Sequence, residues 1–196
     1  MGCRRQMTHK DVYQKSLKKY SDDLAAKLPA PGGGSAAALN ACLGASLISM
    51  VVNFTVGKPK YIRYQKYLKT TLRQSERLRK RFLDLVDLDV AAYKSRNVKR
   101  ALGVPLETAR LCFEAIGLCP DLVKKGNKNL ISDVAVAVEL LESSFAAARV
   151  NADINLKYLA DKRLSKTLNK ELAVKGRLVQ KIRVTTEERV NEIIRR

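Results

Sequence analysis

Histidine and cysteine are scarce in this chain, and their placement excludes several kinds of active site. The 196 residues include one histidine and four cysteines. His9 lies in a polar N-terminal segment, and no C-x-x-C pair occurs among the cysteines, which are Cys3, Cys42, Cys112 and Cys119. A zinc site, a disulfide framework and a Ser-His-Asp triad are not expected, because the usual ligands or base are missing. We expect no metal and no bound cofactor, and chemistry that depends on carboxylates, amides, hydroxyls and lysines.

Strand patterns and a secretory signal are missing as well. No stretch of useful length alternates apolar and polar residues, so the sequence predicts an all-α protein. The length suits a single domain over residues 1–196, with long helices around one core. The opening residues, MGCRRQMTHK, lack an apolar segment, which predicts a cytoplasmic protein.

Acidic residues are few: 19 Asp and Glu stand against 38 Lys and Arg, for a net charge of +19. The cations are spread along the predicted helices, which is typical of a solvated surface. Such a charge also suits a protein that attracts nucleic acid or a polyanionic small substrate. No recognition-module signature is present, so we do not expect nucleic acid as the partner.

A long stretch without any charge runs from Leu28 to Gly57. A Pro-Ala-Pro-Gly-Gly-Gly turn leads into Ser35, where a helix N-cap is expected, and Gly57 ends the helix that follows. The same stretch is long enough to cross a membrane. Because Asn40 and Asn53 lie inside it and no second span occurs, we predict a buried central helix of small residues and no membrane association.

One face of this central helix is polar. The spacing of seven, four, three and four residues places five polar side chains on one narrow stripe: Ser35, Cys42, Ser46, Ser49 and Asn53. A glycine turn followed by a helix start is also a place where backbone amides can hold an anion or the polar edge of a ring.

A carboxylate falls on the buried face of the next long helix, predicted from Pro59 to about Val98. Its apolar and small residues recur at intervals of three and four: Leu68, Thr71, Ser75, Leu78, Phe82 and Leu85. The next position in that spacing is Asp89, whereas Asp87 lies about 200° away around the axis and should point to the opposite side. Asp89 either pairs with an internal group or acts as a general acid/base with a pKa raised by desolvation.

The remaining segments predict further helices. The first runs from Asp11 to about Lys27, and Gly103 and Pro105 should break the pattern before a short helix that Cys119-Pro120 terminates. A polar turn, Gly126–Asp133, leads into an alanine-rich helix with Ser132 and Asp133 in its first turn. Asn151 and Asn155 share a face of that helix, where they bond either to neighbouring helices or to a heterocyclic ligand.

Several segments together resemble a known family. They are P-A-P-G-G-G-S-A-A-A-L, S-M-V-V-N-F-T-V-G-K-P-K-Y, L-V-D-L-D-V-A-A-Y, G-N-K-N-L-I-S-D-V-A-V-A and N-A-D-I-N-L-K. In this order they are similar to the formiminotetrahydrofolate cyclodeaminase / methenyltetrahydrofolate cyclohydrolase family, over roughly residues 11–161.

The resemblance implies an all-helical homodimer with a folate pocket at or near the subunit contact. Asp89, the second acid of D-L-D, then corresponds to the catalytic aspartate. Together with the residue patterns above, the resemblance predicts these substrate-binding residues: Gly32, Gly33, Gly34, Ser35, Asn53, Gly126, Asn127, Ser132, Asp133 and Asn151.

The implied activity is cyclodeamination of 5-formiminotetrahydrofolate to 5,10-methenyltetrahydrofolate with release of ammonia. One alternative is methenyltetrahydrofolate cyclohydrolase, which yields 10-formyltetrahydrofolate. Another is a non-catalytic basic helical dimer that binds a polyanion. In the enzyme hypotheses the partner is a small-molecule folate, including polyglutamylated forms, whose negative tail the cationic surface would attract.

Overall fold

Helices account for nearly all of the regular structure. The computed structural model describes residues 16–195. Its helices are α1 (Leu17–Ala25), α2 (Gly33–Asn53), α3 (Gln65–Lys94), α4 (Val98–Ile116), α5 (Cys119–Lys125), α6 (Ile131–Leu159) and α7 (Lys162–Ile194), with 3₁₀ turns at Pro59–Tyr64 and Lys128–Leu130. No strand occurs in this range, and the all-α prediction is confirmed. The predicted start of the first helix at Asp11, with His9 and Cys3, lies outside the described residues.

The helix α2 is the centre of the bundle, as predicted. It packs against α3 on one side and α6 on another, and its small side chains, such as Ala38, Ala41 and Ala45, are fully buried. Small residues let neighbouring helices approach closely. The amide of Asn40 donates hydrogen bonds to the Leu140 carbonyl at 3.0 Å and the Ser144 hydroxyl at 2.9 Å, which satisfies a polar group inside the apolar stretch.

By length and composition alone, α2 is the one helix among residues 16–195 that could cross a membrane. Most of it is buried by other parts of the protein, and the central helix of a bundle has the same composition as a membrane span. The absence of membrane association stays a prediction.

The face of α3 that the sequence predicts to be buried does face the core. Its residues Leu68, Thr71, Ser75, Leu78, Phe82 and Leu85 are all buried. The helix ends at Lys94 instead of about Val98, because Arg96 adopts a left-handed backbone with φ of 53° and interrupts the helical path. Asn97 then caps α4, its side chain accepting a hydrogen bond from the Arg100 amide at 3.1 Å.

The predicted break at Gly103 and Pro105 is wrong. Both residues lie inside α4, which is continuous from Val98 to Ile116. A proline in a helix leaves the carbonyl four residues earlier without its amide donor. Here that carbonyl belongs to Ala101, and the Asn155 side chain of α6 donates a hydrogen bond to it at 2.9 Å. An amide from a neighbouring helix thus supplies the bond that Pro105 removes.

The predicted helix does end before Cys119-Pro120, since α4 stops at Ile116, but these two residues also begin the next helix. Proline suits the first turn of a helix, where its missing N–H would have no partner in any case. It opens α5, which places Pro120 in the first turn and Lys124 and Lys125 in the last, where cations favour the helix dipole.

Replacing Asn155 should show how α4 tolerates its proline. Asn155→Leu removes the donor to the half-buried Ala101 carbonyl, and loss of one hydrogen bond of this kind costs about 0.5–1.5 kcal/mol. In a Pro105→Ala background, residue 105 regains an N–H that can bond to the same carbonyl. The cost of Asn155→Leu, measured by urea unfolding, should therefore be smaller in that background. Equal costs in the two backgrounds would contradict this account.

Candidate active site

The start of α2 holds the carboxylate of Asp89. The backbone amide of Ser35 donates a hydrogen bond to Asp89 Oδ2 at 2.9 Å. A Cβ atom on Gly34 would lie 2.7 Å from Asp89 Cγ and 2.9 Å from Oδ2, inside any real contact distance. Glycine at position 34 therefore allows the acid group of α3 to rest directly on the backbone of α2.

Ser35 is not the N-cap that the sequence predicts. The helix begins two residues earlier, at Gly33, with Gly32 as the cap and no side-chain hydrogen bond there. Ser35 is fully buried, donates its hydroxyl proton to the Val86 carbonyl at 2.9 Å and accepts a hydrogen bond from the Tyr20 hydroxyl at 3.2 Å. These bonds tie α1, α2 and α3 together beside Asp89.

The electrostatic state of Asp89 is set mainly by burial. Loss of solvent raises the pKa of this carboxyl group above its ordinary value, and the hydrogen bond from the Ser35 amide opposes that rise. Asp89 is half-buried and pairs with no lysine or arginine of residues 16–195. A half-buried acid with a raised pKa and no cationic partner is suited to proton transfer.

Tyr20 and Asp87 also belong to this cluster, and the sequence did not single them out. Asp87 is only 7 % exposed, so it is more deeply buried than Asp89 instead of projecting away from the core. Burial raises the pKa of the Tyr20 hydroxyl, and the charges of Asp89 and Asp87 raise it further. The spacing of apolar residues in α3 identified only Asp89, which continues the buried face of that helix. It could not identify Tyr20 or Asp87, because the packing of α1 beside Asp89 is not encoded in the sequence of α3.

Asn151 of α6 completes this end of the bundle. A Cβ atom on Gly33 would lie 3.6 Å from its Nδ2 and 3.7 Å from its Oδ1, so the amide is next to the start of α2. Its Nδ2 donates to the Ala147 carbonyl of its own helix at 2.9 Å. Gly33, Gly34, Ser35, Asp89 and Asn151 therefore lie close together, as the sequence predicts.

The other predicted site residues lie at the far end of α2. The contacts of Gly44 with Leu141 and of Gly33 with Asn151 show that α6 runs antiparallel to α2. The start of α6 therefore adjoins the end of α2. Twenty residues of helix separate the two ends by about 30 Å, and a single chain does not bring the two sets together.

At that far end, Gly126 and Asn127 fasten a loop to α2. The Asn127 amide donates to the Thr55 hydroxyl at 3.0 Å, and its side chain donates to the Phe54 carbonyl at 3.4 Å. A Cβ atom on Gly126 would lie 2.5 Å from the Leu122 carbonyl oxygen. Nearby, Ser132 is exposed and Asp133 half-buried in the first turn of α6. Asn53, the last residue of the polar stripe of α2, is exposed.

Thiol chemistry and metal binding receive no support from the described part of the chain. Burial raises the pKa of the Cys112 and Cys119 thiols, which keeps them protonated and unreactive at neutral pH. In the part of the chain that the structure covers, no three His, Cys, Asp or Glu side chains converge. The absence of a metal stays a prediction.

Fold and site together define an all-helical protein in which one acid group lies against the glycine-rich start of a central helix. Its sequence matches the model of the formiminotransferase-cyclodeaminase family over residues 16–96 and 94–174, which is most of the chain. The protein belongs to this family, and the resemblance noted in the sequence is confirmed.

Named relatives of this chain are enzymes that act on tetrahydrofolate derivatives. It is 34 % identical to a methenyltetrahydrofolate cyclohydrolase of Methylorubrum extorquens, over 90 % of this chain and 98 % of that one. It is 28 % identical to the formimidoyltransferase-cyclodeaminase of Rattus norvegicus, over 74 % of this chain but only 31 % of the longer rat protein. The crystal structure of a formiminotetrahydrofolate cyclodeaminase from Thermotoga maritima matches with a TM-score of 0.77 and 27 % identity, over 91 % of this chain and 94 % of that one.

A methyl group at position 34 should disrupt the contact between α2 and Asp89. Gly34→Ala places its Cβ against the carboxyl group, and overpacking of this kind costs about 1–3 kcal/mol. Gly33→Ala is the matched control, because its Cβ meets Asn151 only at ordinary contact distances. Thermal unfolding should show a lower melting temperature for Gly34→Ala than for Gly33→Ala. Equal stability of the two variants would mean that the close approach is not a constraint.

Proposed function

We propose that this protein is an enzyme of folate-dependent one-carbon metabolism in which Asp89 is the general acid/base. The observation that carries the proposal is the environment of the Asp89 carboxylate. This group is half-buried, its pKa is raised, and the Ser35 amide donates a hydrogen bond to it. Its substrates are tetrahydrofolates that carry one carbon on N5, or between N5 and N10. Both family reactions pass through a tetrahedral carbon next to these nitrogens, so both require a positioned proton carrier.

Cyclohydrolysis of 5,10-methenyltetrahydrofolate is the first candidate, because the Methylorubrum relative matches over nearly the whole length of both chains. In this reaction Asp89 accepts a proton from the water that adds to the methenyl carbon. The hydroxyl of the resulting carbinol then becomes a formyl group as the bond from carbon to N5 breaks. N5 receives a proton, 10-formyltetrahydrofolate leaves, and one proton is released overall.

Cyclodeamination of 5-formiminotetrahydrofolate is the second candidate, favoured by the fold match to the Thermotoga cyclodeaminase. Here the formimino group reacts in its protonated form, N10 attacks its carbon, and Asp89 accepts the proton that N10 loses. The protonated carboxyl group then returns that proton to the NH2 group on the tetrahedral carbon, the bond from carbon to that nitrogen breaks, and ammonia leaves the methenyl cation. The same side chain serves either reaction, and the substrate decides which one takes place.

We infer that the working unit is a homodimer formed along α2. One side of this helix remains uncovered although the segment from Leu28 to Gly57 has no charge. Leu43 is 49 % exposed and Phe54 is 56 % exposed, and half-buried Leu39, Leu47 and Met50 lie on the same stripe. An uncharged apolar stripe of this length is typical of a subunit contact.

A two-fold axis through the middle of this stripe would make the two copies of α2 antiparallel. The far end of one subunit, with Asn53 and Asn127, would then lie beside Asp89 and Ser35 of the other. This arrangement explains why the predicted substrate-binding residues are about 30 Å apart in one chain. The substrate would occupy a pocket to which both subunits contribute.

The absorbance of the methenyl group tests the reaction and the catalytic residue together. With methenyltetrahydrofolate as substrate, the absorbance should disappear faster than it does without enzyme. Its appearance from 5-formiminotetrahydrofolate would identify a cyclodeaminase. Asp89→Asn should lower kcat by about 10²–10⁴-fold in whichever reaction occurs, because proton transfer is lost. Asp84→Asn, an exposed acid on the same helix, should retain the wild-type rate.

The pH profile of the wild-type enzyme provides a further check on Asp89. A general base must be ionised, so activity should decrease as pH falls through the raised pKa of Asp89, above the ordinary aspartate value of 3.8. A raised folded-state pKa also means that the charged carboxylate lowers stability at neutral pH. Asp89→Asn should therefore melt no lower than wild type at pH 7. Full activity of this variant, or its unfolding, would contradict the assignment.

A charge on the uncovered face of α2 should separate the subunits. Leu43→Glu places a carboxylate in the proposed contact, where burial without a partner is unfavourable. Sedimentation analysis should show a dimer for wild type and a monomer for Leu43→Glu. Leu178→Glu is the control, because Leu178 is 44 % exposed on α7 and away from this contact. A wild-type protein that sediments as a monomer would exclude the proposed dimer.

A further inference from the structure

The helix α1 is held against the bundle mainly through one side chain. Of its residues, Leu17–Ala25, only Tyr20 is buried, with 5 % of its surface exposed. Leu17 and Leu24 share a helical face with Tyr20, but they are 72 % and 39 % exposed. The apolar face of α1 therefore does not pack as a whole, and the contacts of Tyr20 determine where this helix lies.

The hydroxyl group of Tyr20 lies in the candidate active site. It donates a buried hydrogen bond to Ser35 Oγ at 3.2 Å. Burial raises the pKa of this hydroxyl, the bond to Ser35 lowers it, and the charges of Asp89 and Asp87 raise it again. The direction of the shift is upward, so Tyr20 stays protonated at neutral pH and acts as a hydrogen-bond donor instead of a base.

Ser35 joins α2 to α3 at two points that are one helical turn apart. Its backbone amide donates to Asp89 Oδ2 at 2.9 Å, and its hydroxyl donates to the Val86 carbonyl at 2.9 Å. Residues three apart share a face of a helix, so the two bonds together fix the orientation of Ser35 on α3. Because a hydroxyl can accept while it donates, the bond from Tyr20 keeps the Ser35 proton directed at Val86.

We propose that Tyr20 is a positioning residue for Asp89, that it acts through Ser35, and that it makes α1 part of the active site. The proposal rests on the proposed function of Asp89 as the general acid/base. The Tyr20 hydroxyl orients the Ser35 side chain, and Ser35 in turn keeps its amide directed at Asp89 Oδ2. The acid group is thereby held in one place, and rates are sensitive to small displacements of a reacting group.

The amide of Ser35 is the contact that counteracts burial at Asp89. Loss of solvent raises the pKa of this carboxyl group, and the Ser35 bond lowers it. No lysine or arginine of residues 16–195 pairs with Asp89; α2 carries no charge, Asn151 of α6 is neutral, and Asp87 is the other acid of the cluster. A weaker bond from Ser35 should therefore raise the pKa of Asp89, and activity should be lost at a higher pH.

Removal of the Tyr20 hydroxyl alone tests this role in the full chain. Tyr20→Phe should lower kcat by about 3–10-fold and leave KM within about two-fold of wild type, because the acid is misplaced while the binding groups remain. The decrease of activity at acid pH should move to a higher pH. Tyr67→Phe is the matched control: its hydroxyl donates to the Leu118 carbonyl at 3.5 Å, about 33 Å from Asp89 along α3. This control should keep the wild-type rate and pH profile.

A titration without substrate separates the positioning of Asp89 from catalysis. Carbon-detected NMR can follow the carboxyl group of Asp89, whose signal is identified by its loss in Asp89→Asn. The pKa measured in this way should be about 0.5 higher in Tyr20→Phe than in wild type. Ser35→Ala keeps the backbone amide and removes the hydroxyl. In that background Tyr20→Phe should cause no further change, because its route to Asp89 is already broken.

The possible outcomes separate this proposal from the proposed reaction. A titration of Asp89 that moves in Tyr20→Phe, but not when residue 35 is already alanine, supports the positioning role. An unchanged titration in Tyr20→Phe, or the same change in both backgrounds, overturns it, even if kcat or the melting temperature falls. A wild-type protein that turns over no folate would contradict the proposed reaction, whereas the titration would still decide the role of Tyr20.

Discussion

The contact between the Asp89 carboxyl group and the backbone of Gly34 and Ser35 is the constraint on which the site depends. It brings an acid from α3 within hydrogen-bond distance of the first turn of α2. A side chain at position 34 would prevent this contact. The backbone amide stabilises the ionised form, whereas burial raises the pKa. The hydrogen bond from the Ser35 amide therefore holds the Asp89 carboxyl group in position, and no cation of residues 16–195 pairs with it.

The small residues of α2 allow neighbouring helices to approach it closely along its length, as Gly34 allows for Asp89. Alanines at 38, 41 and 45 are fully buried, so α3 and α6 can approach the central helix closely. Polar groups at these contacts are satisfied between helices, as Ser49 and Ser75 illustrate with a hydrogen bond of 2.8 Å. The amide of Asn155 at the Ala101 carbonyl serves the same purpose for a proline-containing helix. Close packing and hydrogen bonds between the helices thus hold the glycine turn against the acid.

Much of the architecture was predictable because it depends on local periodicity. The buried seam of α3 and the central position of α2 follow from spacing and from the absence of charge between Leu28 and Gly57. Two predictions were wrong because a hydrogen-bond partner comes from a distant part of the chain and not from the neighbouring residues. Pro105 predicts a break, but an amide fifty residues later in the chain compensates for it. Ser35 has the chemistry of an N-cap, but its hydroxyl bonds to Val86 and Tyr20.

From the sequence alone came the all-helical class, the family, and Asp89 as the acid on a buried face, because each depends on residue types at fixed spacings. Tertiary structure decided which of the predicted residues meet. It joined Gly34, Ser35 and Asn151 to Asp89, added Tyr20 and Asp87, and left Asn53 and Asn127 about 30 Å away. The antiparallel packing of α6 on α2 is the reason, since neighbours across two long helices are set by how the helices dock and not by their own patterns.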